Sequence, residues 1–324
     1  MRATKLIWLV VLVFLPLLSF SQQITRLIIS SMANPELKAQ IELNISTFLT
    51  ECNRASCEKD KPRAHIMAIT KEAKDELSRI WNNSGFACTE SELIVNIVRN
   101  PDGNYELRGI PIVFCNDDSG DDDSNELVLI LTPTGLLSGI KVAIEKEQYS
   151  RLLLESDNVK DRRLREVILS FVETYRTAYN RKDLDYINTV FSEDAIIIVG
   201  RLIKTQKNLP DKMGQTLLTK DQVELIRLSK TEYIKNLQTC FKKNHYIKVA
   251  FQDFNITRHP KFPEIYGVTL RQKWSSSTYS DDGYLFLMID FKDETKPLIW
   301  VRSWQPEKFT KSGDAISLND FIIQ

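Results

Sequence analysis

The chain is poor in histidine: three residues in 324, His65, His245 and His259, and none has a second histidine or a glutamate at ligand spacing. A histidine-held metal or a histidine base is therefore not expected. The five cysteines include no C-x-x-C pair, so no zinc site is expected either. Neither sign of charge is in excess, since 43 Lys and Arg meet 43 Asp and Glu. Such a chain builds no long-range field for nucleic acid or for an anionic membrane surface. Nucleophile-elbow, Walker and dinucleotide-binding patterns are all missing, so no cofactor is implied. After the first twenty residues no apolar run approaches the length that spans a bilayer. The acidic run Asp117, Asp118, Asp121, Asp122 and Asp123 lacks the spacing and the twelfth-position glutamate of a calcium loop, and reads as a solvated loop.

What is present begins with a leader. Arg2 and Lys5 form a basic start, Leu6 to Leu18 is apolar, and Ser19 and Ser21 supply small residues before a cut ahead of Gln22. Residues 1–21 are thus expected to be a signal peptide, and the protein to be exported, periplasmic or extracellular. Without the leader the net charge is about −2. An oxidising compartment permits disulfides, and Cys52–Cys57 with Cys88–Cys115 is the preferred set among three connectivities. Cys240 falls in an apolar helical stripe and reads as a buried free thiol.

The length implies two domains. The first is expected over 22–147. It holds a helix from Pro35 to Thr50, a second opened by Thr70, a hairpin of Leu93–Arg99 and Tyr105–Phe114 around Asn100-Pro101-Asp102-Gly103, and strands at Glu126–Thr132 and Leu136–Ile144. Residues 148–160 read as a linker and 308–324 as a tail. Between them, 161–307 opens with a long amphipathic helix and a short second one. The strand Ala195–Lys204 and a polar insert, Thr205–Arg227, come next. A third helix from Thr231, the strand Tyr246–Arg258 and the three-stranded meander Tyr266–Glu307 complete it. The fold class is α+β: N-terminal helices with a short antiparallel sheet, then a strongly curved antiparallel sheet closed by helices.

Phe171-Val172-Glu173-Thr174-Tyr175-Arg176-Thr177-Ala178-Tyr179-Asn180-Arg181-Lys182-Asp183 and Val190-Phe191-Ser192-Glu193-Asp194-Ala195 carry a resemblance. Together with the element order, residues 160–307 resemble the nuclear transport factor 2-like superfamily, the α+β cone shared with ketosteroid isomerases and scytalone dehydratases. The texts YGVTLRQKW and GYLFLMIDF also resemble uncharacterised exported proteins of Gram-negative bacteria that carry this domain behind a helix-plus-sheet region. The resemblance implies a location and an architecture, and no particular reaction.

Within the cone, strand alternation puts Trp300, Arg302 and Trp304 on one face and Ile299, Val301 and Ser303 on the other. It likewise opposes Phe286, Met288 and Asp290 to Leu285, Leu287, Ile289 and Phe291. Tyr175, Tyr179, Trp274, Trp300, Arg302 and Trp304 are the candidate ligand-binding residues, aromatic walls around a cation. Asp194 and Asp290 are candidate general bases if buried. The plainer alternative has Asp194 turning the chain, Asp290 paired with Arg302 or Arg271, and the tyrosines packing. The expected role is non-catalytic, binding an envelope protein or a small ligand. The alternatives are a cone-type isomerase, dehydratase or hydrolase, and a homodimer formed through the aromatic sheet.

Overall fold

The computed structural model describes residues 23–100, 102–115, 125–155, 161–203, 222–306, 316–318 and 321. The expected leader and the five-aspartate loop lie outside them.

The chain enters through β1 (Arg26–Ile29) and turns into α1 (Pro35–Glu58). Asn34 caps α1 by accepting from the Glu36 and Leu37 amides, and Pro35 sits where its missing N–H costs nothing. The helix runs eight residues past its expected end at Thr50, into the polar, charged stretch that begins at Cys52. Glu51 and Arg54 make that extension tolerable: both are buried and paired at 2.7 Å, and Arg63 adds a second pair to Glu51 at 2.7 Å. Next come α2 (Lys71–Asn83), capped by Thr70, then β2 (Phe86–Cys88), β3 (Glu92–Val95) and β4 (Ile97–Arg99). A turn with Gly103 at φ 87° leads into β5 (Tyr105–Phe114). The strands β6 (Asn125–Leu131) and β7 (Leu137–Ala143) follow. The order is β2-β5-β6-β7, with β4 also on β5, while β3 pairs in parallel with β1. The strand expected over Leu93–Arg99 is thus divided between two sheets at Asn96.

The stretch read as a linker is mostly helix, α3 (Lys146–Glu155), whose Leu152 joins the second core. The next elements are α4 (Arg162–Asn180), α5 (Leu184–Val190), β8 (Phe191–Ile203), β9 (Gln222–Leu228) and α6 (Lys230–Lys243). Four long strands complete the set: β10 (Ile247–Arg258), β11 (Ile265–Ser276), β12 (Ser280–Asp290) and β13 (Leu298–Pro306). The end of the expected insert is therefore strand, because Val223, Leu225 and Ile226 give β9 enough apolar character to pair with β8. The six strands run β10-β11-β12-β13-β8-β9 in one curled sheet, antiparallel except between β13 and β8.

The inner face of that sheet holds Leu285, Leu287, Ile289 and Phe291, packed with α4 residues such as Ile168, Val172 and Tyr175. The outer face holds Phe286 and Met288, covered by Ile316, Leu318 and Phe321 of the tail. The Phe286 and Phe321 rings stack at 5.5 Å. Much of the outer aromatic surface is therefore already occupied by this chain's own C-terminal segment.

Helices close an edge of each of the three sheets. An isolated edge strand leaves a row of unpaired N–H and C=O groups. Along β1 and the residue before it, the amides of Thr25, Leu27 and Ile29 donate to Thr50, Ser46 and Glu42 of α1, at 3.1, 2.9 and 2.7 Å. Four residues of helix rise about 6 Å and two of strand about 6.6 Å, so one helical turn serves every second amide. On the β7 edge, Val142 and Ile144 donate to Thr177 (3.0 Å) and Glu173 (3.1 Å), while Arg181 donates to the Ile140 carbonyl. The other flank of α4 serves β10: Arg176 donates to the Val249 carbonyl at 2.8 Å, and Asn180 accepts from the Val249 amide at 2.7 Å. Asn83 closes Ile247 in the same way, accepting at 2.9 Å and donating at 2.6 Å.

Candidate functional site

The inner face of the curled sheet carries one polar constellation. Tyr175 and Tyr179 are one turn apart on α4, which aims both inward. Tyr233 comes from the first turn of α6, whose start is fixed by a Ser229–Glu232 capping box. β13 supplies Arg302 and Trp304, β11 supplies Trp274, and β12 supplies Asp281 directly opposite Trp274. The tyrosine hydroxyls form a chain, Tyr175 to Tyr179 at 2.7 Å and Tyr179 to Tyr233 at 2.6 Å. The rings meet edge to face, Tyr175 with Tyr179 at 5.1 Å and Tyr179 with Trp274 at 6.0 Å. Arg302 lies 5.1 Å from the Tyr233 ring centroid and against the Tyr175 hydroxyl.

Arg302 is only 6% exposed, and among the described residues no carboxylate pairs with it. Its Nε–H has no hydrogen-bond partner, nor has the Trp304 indole N–H. A guanidinium stays charged in a protein, so a full cation sits in the core without a hydrogen-bonded carboxylate among the described residues. Asp281 is partly buried and its Oδ1 has no partner. Burial pushes its carboxyl up to about 6, against the opposing pull of the Tyr279 hydroxyl and of Arg302. Burial likewise raises Tyr175 and Tyr179, so both act as neutral hydroxyls at neutral pH. Gly283 lies between Asp281 and Leu285 on the inner row. A Cβ there would meet the Gln305 carbonyl oxygen at 2.2 Å and the Trp304 ring at 3.0 Å, so only glycine lets β13 and its indole come this close.

Five of the six residues singled out by periodicity, Tyr175, Tyr179, Trp274, Arg302 and Trp304, meet here. Trp300 does not. Between Ile289↔Ile299 and Met288↔Val301 the β13 ladder gains one residue. This bulge puts Ile299 inside with Trp304 and sends Trp300 to the outer cluster, with Val301. The expectation that Trp300 shares a face with Arg302 and Trp304 is corrected accordingly.

The two acids expected as bases also lie elsewhere. Asp194 is exposed on β8. Asp290 belongs to the outer row, and its Oδ1 accepts from the Lys292 amide at 2.7 Å in the turn after β12. Neither Arg302 nor Arg271 pairs with it; Arg271 grips Asp282 with bonds of 2.9 and 2.6 Å. Tyr233 and Asp281 are the members that sequence reasoning missed. Asp281 shares the parity of Leu285 and Leu287, a signal hidden when Ser275–Gly283 is taken entirely as turn. The actual turn is Ser277–Tyr279.

The cysteines are all free thiols. Cys52 and Cys57 both lie on α1, five residues apart, which turns them about 140° from each other, one buried and one exposed. Cys88 faces Ile112 across β2 and β5, whereas the Cys115 amide bonds to Gly85 at 2.8 Å. That places Cys88 and Cys115 three residues, about 10 Å, apart along the ladder, too far for the expected bridge between them.

No protein-family model matches the chain, and no curated protein matches it. Solved structures similar to it include Bd1075 of Bdellovibrio bacteriovorus, at 16% identity and a TM-score of 0.33, over 53% of this chain and 47% of that one. The chain thus spans about half the length of Bd1075. An NTF2-like protein from Cytophaga hutchinsonii is 14% identical with a TM-score of 0.32, over 44% of this chain and 97% of that one. ActVI-ORFA from Streptomyces coelicolor is 10% identical with a TM-score of 0.30, over 45% and 98%.

Proposed function

We propose that this is an exported, non-catalytic binding protein of the cell envelope, whose ligand enters the curled C-terminal sheet. The observation that carries the reading is Arg302, a buried cation whose Nε–H and neighbouring Trp304 N–H lack acceptors. Burying an unpaired charge costs several kcal/mol. A fold keeps such a group where a ligand supplies the missing partner. The direct test is mass spectrometry of the full chain purified from a periplasmic fraction, before and after organic extraction. The expected result is a mature N-terminus at Gln22 and a small molecule released in near-stoichiometric amount. An empty protein with one reproducible protein partner would shift the reading to a scaffold.

One observation favours a second reading, a cone-type isomerase, dehydratase or hydrolase. Asp281 has a carboxyl raised to about 6 beside Tyr279, which suits a general base. The two readings part on the extracted molecule. Chemical conversion that Asp281→Asn abolishes while binding persists favours the enzyme, and unchanged recovery favours the binder.

A further inference from the structure

The constellation also specifies the class of the ligand. We propose that the cone binds a small organic carboxylate, its anionic group held by Arg302 and Trp304 and its body lying over the Trp274 and Trp304 rings. This rests on the reading of the cone as a ligand site.

The warrant is a count of donors. Arginine only donates, so the Tyr175 hydroxyl beside it accepts. The three tyrosine hydroxyls are joined by bonds of 2.7 and 2.6 Å. The site presents two unanswered donors, Arg302 Nε–H and Trp304 Nε1–H. Both residues are more than nine-tenths buried. Donors without acceptors, one of them cationic, call for an anion. The single unanswered acceptor, Asp281 Oδ1, narrows the class. A second negative charge would repel it, so a monoanion fits better than a phosphate, and a hydroxyl on the ligand would satisfy it. Tyr179, Trp274 and Trp304 provide flat walls for an aromatic or unsaturated body.

The experiment is a thermal-shift and tryptophan-fluorescence titration of the full chain with benzoate, 4-hydroxybenzoate, methyl 4-hydroxybenzoate and inorganic phosphate at millimolar concentration. Both carboxylates are expected to raise Tm, 4-hydroxybenzoate more, while the ester and phosphate leave it unchanged. Trp304→Phe keeps the ring and removes one donor, and should weaken carboxylate binding about tenfold. Arg302→Met should abolish the shift while the unliganded variant melts no lower than the parent, since an unpaired buried charge has been removed. An ester that stabilises as well as the acid would overturn the carboxylate assignment and leave the ligand site standing. A phosphate shift equal to that of benzoate would also overturn it. No shift from any probe, with nothing released on extraction, would remove both readings. Arg302→Met melting well below the parent would make Arg302 a structural group and overturn the proposal.

Discussion

At the scale of single residues the site is defined by parity. Strand side chains alternate with period two and helix side chains recur every three or four, so Tyr175 with Tyr179 and Arg302 with Trp304 were legible as pairs. One inserted residue in β13 was not, because a bulge depends on how the two strands are forced to meet, and it moved Trp300 alone to the other face. Asp281 was illegible for a different reason, the exact position of a three-residue turn. Its environment makes a prediction with a definite sign. Burial pushes the folded carboxyl up to about 6 from an ordinary 3.8, so the folded state holds the proton more tightly. The resulting stabilisation is complete below about pH 4 and is lost as pH rises through 6. Asp281→Asn removes that dependence. Relative to the variant, the parent should lose on the order of 2 kcal/mol between pH 4 and pH 7. Urea unfolding of both proteins across this range measures it, and a difference that does not change with pH would mean Asp281 is solvated.

At the scale of elements, the helices α1 and α4 substitute for missing strands. Polar residues four apart, Glu42, Ser46 and Thr50 or Glu173, Thr177 and Arg181, answer every second amide or carbonyl of an edge. The sequence displays these stripes, but on a helix a polar stripe ordinarily means solvent. Only the placement of the partner strand reveals it as buried bonding, with Glu173 and Thr177 fully shielded. Thr177→Val tests the device with nearly constant volume. It leaves the Val142 amide in the core without an acceptor, which should cost about 1–3 kcal/mol in unfolding free energy. The Val142 amide should also exchange with deuterium faster than its neighbours in β7. Unchanged stability would show that the edge is held by the strands alone.

At the scale of the molecule, α4 belongs to both halves. The sequence placed a boundary at 148–160 with α4 beyond it, yet α4 completes the edge of β7 as well as that of β10. Arg108 of β5 reaches Glu173 with two bonds of 2.8 Å, and its guanidinium stacks on Tyr149 of α3 at 3.6 Å. Glu173 is completely buried, so this pair survives only while the halves stay docked. Arg108→Met strands the Glu173 carboxylate in the core and should cost about 3–5 kcal/mol, whereas Glu173→Gln leaves Arg108 its pairing with Glu106 and should cost less. Replacing both with apolar groups removes the two desolvation penalties together, so Arg108→Met combined with Glu173→Leu should cost much less than the sum of the single changes. Calorimetry of the parent should then show one cooperative transition, and the single variants the same transition at lower temperature. Two separate transitions in the parent, or single-variant costs that simply add in the double variant, would mean that the N-terminal half folds without α4 and that the buried pair does not join the two cores.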